Sequence, residues 1–150
     1  MRRLAVIREQ NDRGTISVFV IGLAVALLIL AGLVVDGGRA INARAAANDD
    51  AEQAARAGAN QIDDAVLRSS GRVVINQDAA RTAARRFLTV KGYPAGDIQV
   101  SFPAEGVRVQ VGGDVDTTLL SLISINTFHV TGSATARAAV GIVNEIGGAP

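Results

Sequence analysis

The pattern of apolar and polar positions changes character three times along this chain. From Thr15 to Val35, 21 residues pass without a charge. A helix rises about 1.5 Å per residue, so the run reaches roughly 32 Å, the thickness of a bilayer's hydrocarbon core. An apolar helix of that length satisfies its own backbone inside lipid. From Asp36 to Ser69 the pattern stays helical but becomes mixed. Alanines at 40, 43, 45, 46, 47, 51, 54, 55, 57 and 59 favour helix. An apolar stripe follows Ile41, Ala45, Ala51, Ala55, Gly58, Ile62 and Val66. Glu52 with Arg56, and Asp64 with Arg68, are acid-before-base pairs one turn apart. Gly37-Gly38 interrupts the stretch, and a bend is expected there because each glycine costs about 1 kcal/mol in an exposed helix. Ser69-Ser70-Gly71 reads as a stop.

A second helix is predicted after Asn76-Gln77-Asp78, which supplies a cap and early negative charge. Ala80, Ala83, Ala84, Phe87 and Leu88 share one face. Gly92 and Pro94 follow its end. The period then drops to two. Ile98, Val100 and Phe102 face one way, and Val107-Arg-Val-Gln-Val111 alternates after a Pro103-Ala-Glu-Gly106 hairpin loop. Gly112-Gly113-Asp114 reads as the end of that pair. Thr117–Ile125 is a short helix or a turn. Alternation resumes from Thr127, with Phe128, Val130, Ala134, Ala136, Ala138 and Val140 on one face. So small a face invites a closely packed helix, and the alanine stripe is its natural partner. The fold class is α+β: a long N-terminal transmembrane helix continuing into an alanine-rich stalk, a second helix and a small antiparallel sheet. The expected parts are a basic cytoplasmic leader (1–14), the transmembrane helix (15–35), the stalk helix (36–70) and a small extracytoplasmic α+β domain (71–150).

Charge gives this layout a direction. Arg2, Arg3, Arg8 and Arg13 outweigh Glu9 and Asp12 ahead of the apolar run. Basic residues on that side keep the N-terminus cytoplasmic and send the rest of the chain across a cell membrane as a single-pass protein. The net charge of +1 argues against a nucleic-acid partner. Without cysteine, and with one histidine, the chain offers no thiolate metal site, no nucleophilic triad and no metal-ligand cluster. No phosphate-loop sequence occurs. Neither catalysis nor a cofactor is expected. His129 is read as a surface residue, Gly112-Gly113-Asp114 as a turn rather than an anion cradle, and Arg81, Arg85 and Arg86 as a solvated basic face.

Three readings of the N-terminus stand side by side. A cleaved secretory signal has a shorter apolar core and a small-x-small site, for which Ala43-x-Ala45 is the candidate. A plain signal anchor fits the length and the charge. A prepilin-type leader is cut between Gly14 and Thr15, directly after Arg13. The fifth residue after that cut, usually Glu in pilin-type proteins, is Phe19 here.

The block Arg13-Gly14, the apolar run, Asp36-Gly-Gly-Arg39, then Arg44, Asn48 and Ala54-Ala-Arg-Ala-Gly58-Ala59 resembles the TadE/TadG-like family of Flp pilus-assembly proteins. Asp36, Gly38 and Arg39 match its Asp-x-Gly-Arg element, and Arg44 and Asn48 match the alanine-rich stretch behind it. Phe128 to Arg137 looks like the family's closing strand. The resemblance implies a structural, pseudopilin-like or minor-pilin role in the cell envelope, with other Tad or pilin-like subunits, inner-membrane platform proteins and a prepilin peptidase as partners, besides membrane lipid. The alternative is a membrane-tethered binding or scaffolding domain unrelated to pili. Asp36 and Arg39 are expected either to pair for partner recognition or to mark the helix exit, with Arg39 reaching headgroups. Gly22 and Ala26 offer a small-xxx-small contact for a second membrane helix.

Overall fold

The computed structural model describes residues 11–104 and 106–138. The basic leader up to residue 10 and Val140 of the last strand lie outside the described residues. The fold is α+β. Helix α1 spans Asn11–Ala59, α2 Asp64–Ser70 and α3 Gln77–Val90. Strands β1 (Ile98–Ser101), β2 (Val107–Asp116) and β3 (Thr127–Ala136) form a small antiparallel sheet in the order β1-β2-β3. The chain divides into two compact units. One is the chain up to Arg39 together with Asp116–Thr127. The other is Ala40–Val115 with the chain from Phe128 onward.

The second unit holds the main core. Ala47, Ala51, Ala54, Ala55 and Ala59 of α1 are buried against Ala80, Ala84 and Leu88 of α3 and against Ile98, Val107, Val109 and Val111 of the sheet. The spacing of the α1 residues is that of one helix face. The sequence stripe was placed slightly off this face at its start: Ile41 is 71 % exposed and Ala45 is exposed. The true stripe is fixed by Ala47, whose backbone meets β3 directly. A Cβ built on Gly132 would lie 2.3 Å from the Ala47 carbonyl carbon and 2.5 Å from the Asn48 nitrogen. Only a residue without a side chain permits that approach. Beside it, the Asn48 side-chain oxygen accepts the Ser133 N–H at 3.0 Å. Asp50, one turn above Ala47, accepts the Tyr93 hydroxyl at 3.2 Å and pairs with Lys91 at 3.1 Å. Burial, and then the Asp50 carboxylate, push the Tyr93 phenol above its ordinary pKa.

The stalk is not one helix to Ser69. Helix α1 stops at Ala59, where the Gln61 N–H turns back to the Gly58 carbonyl at 3.0 Å. Gln61 and Asp63 then pair in extended form with the segment ahead of α3, through Asp63 N–H to Val74 O at 2.8 Å and Asn76 N–H to Gln61 O at 2.8 Å. Asp63 restarts the helix as an N-cap, accepting from the N–H groups of Ala65 and Val66. The competing signal was local: Asp63 caps better than it continues a helix. The two predicted ion pairs form, Glu52 with Arg56 and Asp64 with Arg68 at 3.5 Å.

Asn76 caps α3 by accepting the Ala79 N–H at 3.1 Å. The hairpin pairs Ile98 with Val111 and Val100 with Val109. It does not end at Gly112-Gly113-Asp114, because β2 runs through these residues to Asp116. Pairing with β3 carries the strand onward, and buried Gly112 leaves room for the His129 ring, whose carbon and nitrogen would sit 3.2 Å from a Cβ there. His129 is a surface residue as expected, with Nδ1 2.8 Å from the Asp114 carboxylate. The basic face of α3 is partly engaged: Arg81 lies over the Phe102 ring and Arg85 donates to the Ile98 carbonyl at 3.3 Å.

Candidate functional site

In the first unit the apolar run leaves most of its large side chains bare. Val18 is 72 % exposed, Phe19 69 % and Val34 70 %. This helix is long and apolar enough to cross a membrane. The first charge after the run behaves differently. Asp36 is 1 % exposed. Its carboxylate accepts three successive backbone N–H groups from the β2–β3 connection: Thr118 at 2.8 Å on Oδ1, then Leu119 at 2.9 Å and Leu120 at 2.8 Å on Oδ2.

The connection is shaped to present those donors. The Thr117 N–H bonds the Asn126 carbonyl at 2.9 Å and closes the loop. Leu120–Ile123 forms a 3-10 turn that ends on Ser124 in a left-handed conformation. The first N–H groups of such a turn have no partner within it. A carboxylate at that point satisfies them with charge-assisted bonds. Taking Asp36 out of water works to raise its pKa, but the three N–H bonds and the nearby Arg39 charge outweigh that, and its pKa lies below the ordinary carboxylate value. Arg39 donates to the Thr118 hydroxyl. Asp36 and Arg39 therefore converge on one threonine, the carboxylate taking its N–H and the guanidinium its hydroxyl.

Packing beneath the clamp is tight. A Cβ on Gly32, one turn before Asp36, would lie 3.0 Å from Leu120 Cδ2 and 3.2 Å from Leu119 Cβ. The helix thus brings a glycine and a carboxylate to the same loop, four residues apart on one face. Between Asp36 and Arg39, Gly37 and Gly38 continue the helix. Asp36 and Arg39 hold both ends of that short stretch to Thr118, which removes the freedom a glycine pair would otherwise use.

The other sequence-derived residues fall in different places. Gly38 stands over open space and Arg44 is exposed. Asn48 belongs to the second unit, where it ties α1 to β3. Gly14 and Thr15 lie on the backbone of α1. Gly22 has nothing within 4 Å of an added Cβ. Sequence reading missed the partners of Asp36, because all three lie more than 80 residues from it along the chain. The available signal was the uncharged Thr117–Ile125 stretch, whose leucines and isoleucines suit neither a solvated turn nor the strands beside it. Among the described residues no group of three or more His, Asp or Glu is placed to hold a metal ion.

No curated protein matches the chain. No solved structure matches it either. Residues 14–61, which carry the apolar run, the Asp36–Arg39 clamp and the alanine face with Asn48, match the family described as "Putative Flp pilus-assembly TadE/G-like".

Proposed function

We propose that the protein is a structural membrane component of a Tad/Flp pilus assembly or a related secretion apparatus, acting through helix contacts with other subunits. The observation that carries this reading is the TadE/G-like segment itself, in which an exposed apolar helix leads directly into a fixed Asp36–Arg39 element. The exposed side chains from Ile16 to Val35 have lipid and neighbouring membrane helices as their natural surroundings. The basic leader sets the N-terminus in the cytoplasm and the rest outside. Phe19 brings no carboxylate to the apolar segment, so the charge pairing that joins neighbouring pilin subunits has no acid here. A membrane-resident assembly or priming role fits that better than bulk polymerisation. Partners under this reading are other pilin-like subunits, platform proteins and, for a cut between Gly14 and Thr15, a prepilin peptidase.

Deleting the gene tests this. Loss of surface pili, restored by the full chain, together with co-purification of Tad subunits from membranes, is the expected outcome. Normal piliation, with a chain that purifies as a monomer free of Tad proteins, would contradict it.

A further inference from the structure

The β2–β3 connection has a property that a clamp for Asp36 does not need. From Thr117 to Ala136 it and the strand after it contain no Asp, Glu, Lys or Arg. Leu122 is 78 % exposed, Ile123 44 % and Ile125 42 %. These side chains do not stand over a polar surface. The loop lies against the apolar run itself, and Leu119, Leu120, Leu122 and Ile123 line a cleft of about 190 Å³ with Val25, Leu28 and Ile29. Those three residues precede Asp36 by 7 to 11 positions, which places them roughly 10–16 Å further down the helix at 1.5 Å per residue. If the run crosses a bilayer, the loop descends alongside it.

Irregular backbone enters hydrocarbon only when its polar groups are satisfied internally. Much of this loop meets that condition. Asp36 takes the N–H groups of Thr118, Leu119 and Leu120. The N–H groups of Leu122, Ser124 and Ile125 bond Leu119, Ser121 and Leu120 carbonyls. The hydroxyls of Thr117 and Ser121 are spent on the carbonyls of Ile125 and Thr118. Outward stand Leu122, Ile123 and Ile125, with the short polar side chains of Ser121, Ser124 and Asn126 among them.

We propose that Leu119–Ile125 is a membrane-inserted wedge, whose exposed apolar side chains occupy the acyl region of the outer leaflet beside the transmembrane helix. The carboxylate of Asp36 favours this insertion by taking three of the loop's backbone donors. Lipid is the occupant because the loop continues the surface of the apolar run at the same depth and carries no charge to meet a polar partner. The proposal rests on the reading of 15–35 as a membrane span.

The chain has no cysteine, so single-cysteine variants of the full protein can carry an environment-sensitive fluorophore. Leu122→Cys and Ile123→Cys probe the loop, Leu30→Cys the span, and Ser69→Cys the exposed, charged helix α2. Each is placed in phosphatidylcholine–phosphatidylglycerol nanodiscs, with iodide in the water or a doxyl-labelled lipid in the bilayer. The expected result is blue-shifted emission at 122 and 123, quenching by the doxyl lipid and loss of iodide quenching, as at 30 and opposite to 69. Iodide quenching at 122 and 123 with a lipid-like signal at 30 would overturn the wedge and leave the span standing. Shielding of 122 and 123 from both quenchers would overturn it too, since a protein would then cover the loop. Iodide quenching at 30 would remove the span and the wedge together.

Discussion

Replacing Gly132 with alanine is expected to destabilise the second unit by about 3 kcal/mol or more, at or beyond the usual range for overpacking a core. The reason is geometric. The new Cβ would fall 2.3 Å from the carbonyl carbon of Ala47, 2.4 Å from its oxygen and 2.5 Å from the Asn48 nitrogen. All three are backbone atoms in the middle of α1, so no rotamer change relieves the clash. Helix and strand must separate, and separation loses more than one contact. The Asn48 bond to the Ser133 N–H lies beside the clash, and the alanines of α1 are too short to refill the gap. Gly96→Ala is the matched control, because nothing lies within 4 Å of a Cβ there and its backbone is not left-handed. Urea unfolding of the detergent-solubilised chain, followed by the fluorescence of Tyr93, reads the difference without interference, since Tyr93 is the single tyrosine and tryptophan is absent. Equal midpoints for the two variants would contradict the close approach.

Removing the Asp36 carboxylate is expected to release the β2–β3 connection while leaving the second unit folded. Three backbone donors share its two oxygens. Asp36→Ala leaves all three without their acceptor, and a buried unsatisfied donor is costly. Asp36→Asn keeps the size but replaces one oxygen with an N–H₂ group that faces other donors. Both variants should raise the hydrogen-exchange rates of Thr118, Leu119 and Leu120 amides by about tenfold or more. The amides of β1 paired with β2 should exchange as before. Arg39→Ala should have the smaller effect, because the guanidinium's hydrogen bond is to the exposed Thr118 hydroxyl and takes none of the three backbone donors. Unchanged protection at the three loop amides in Asp36→Ala would show that the clamp does not hold the loop.

The elements with strong local signals were legible in the sequence. The apolar run, the capped and terminated α3, the β1–β2 hairpin and the inward face of β3 all follow from period and punctuation. Features set by distant contacts were not. Nothing local distinguishes Gly132 from a strand glycine of no consequence until Ala47 is known to lie against it. Gly112-Gly113-Asp114 carries a turn composition, yet pairing with β3 overrides it. After Ala59, Asp63 gives a local cap signal, but the bridge of Ile62 to Ile75 in the break is a pairing no helical pattern discloses. At the candidate site the residues Asp36 and Arg39 were found by their position after the run and by family resemblance. Their chemistry was not, because a carboxylate beside a glycine pair at the end of an apolar run reads the same whether it faces water or three backbone N–H groups.

The TadE/G-like segment gives these features one setting. An apolar helix emerges, a buried carboxylate fixes the first loop it meets, and an alanine face beyond it receives the sheet. Everything in the proposed role depends on the apolar run remaining part of the working protein. The most direct test is the intact mass of the protein recovered from cell membranes. The account predicts a chain that retains Thr15–Val35, beginning at Met1 for an uncut anchor or at Thr15 for a processed leader. A mature chain beginning near Ala46 would lack the span and Asp36 alike, and would contradict it.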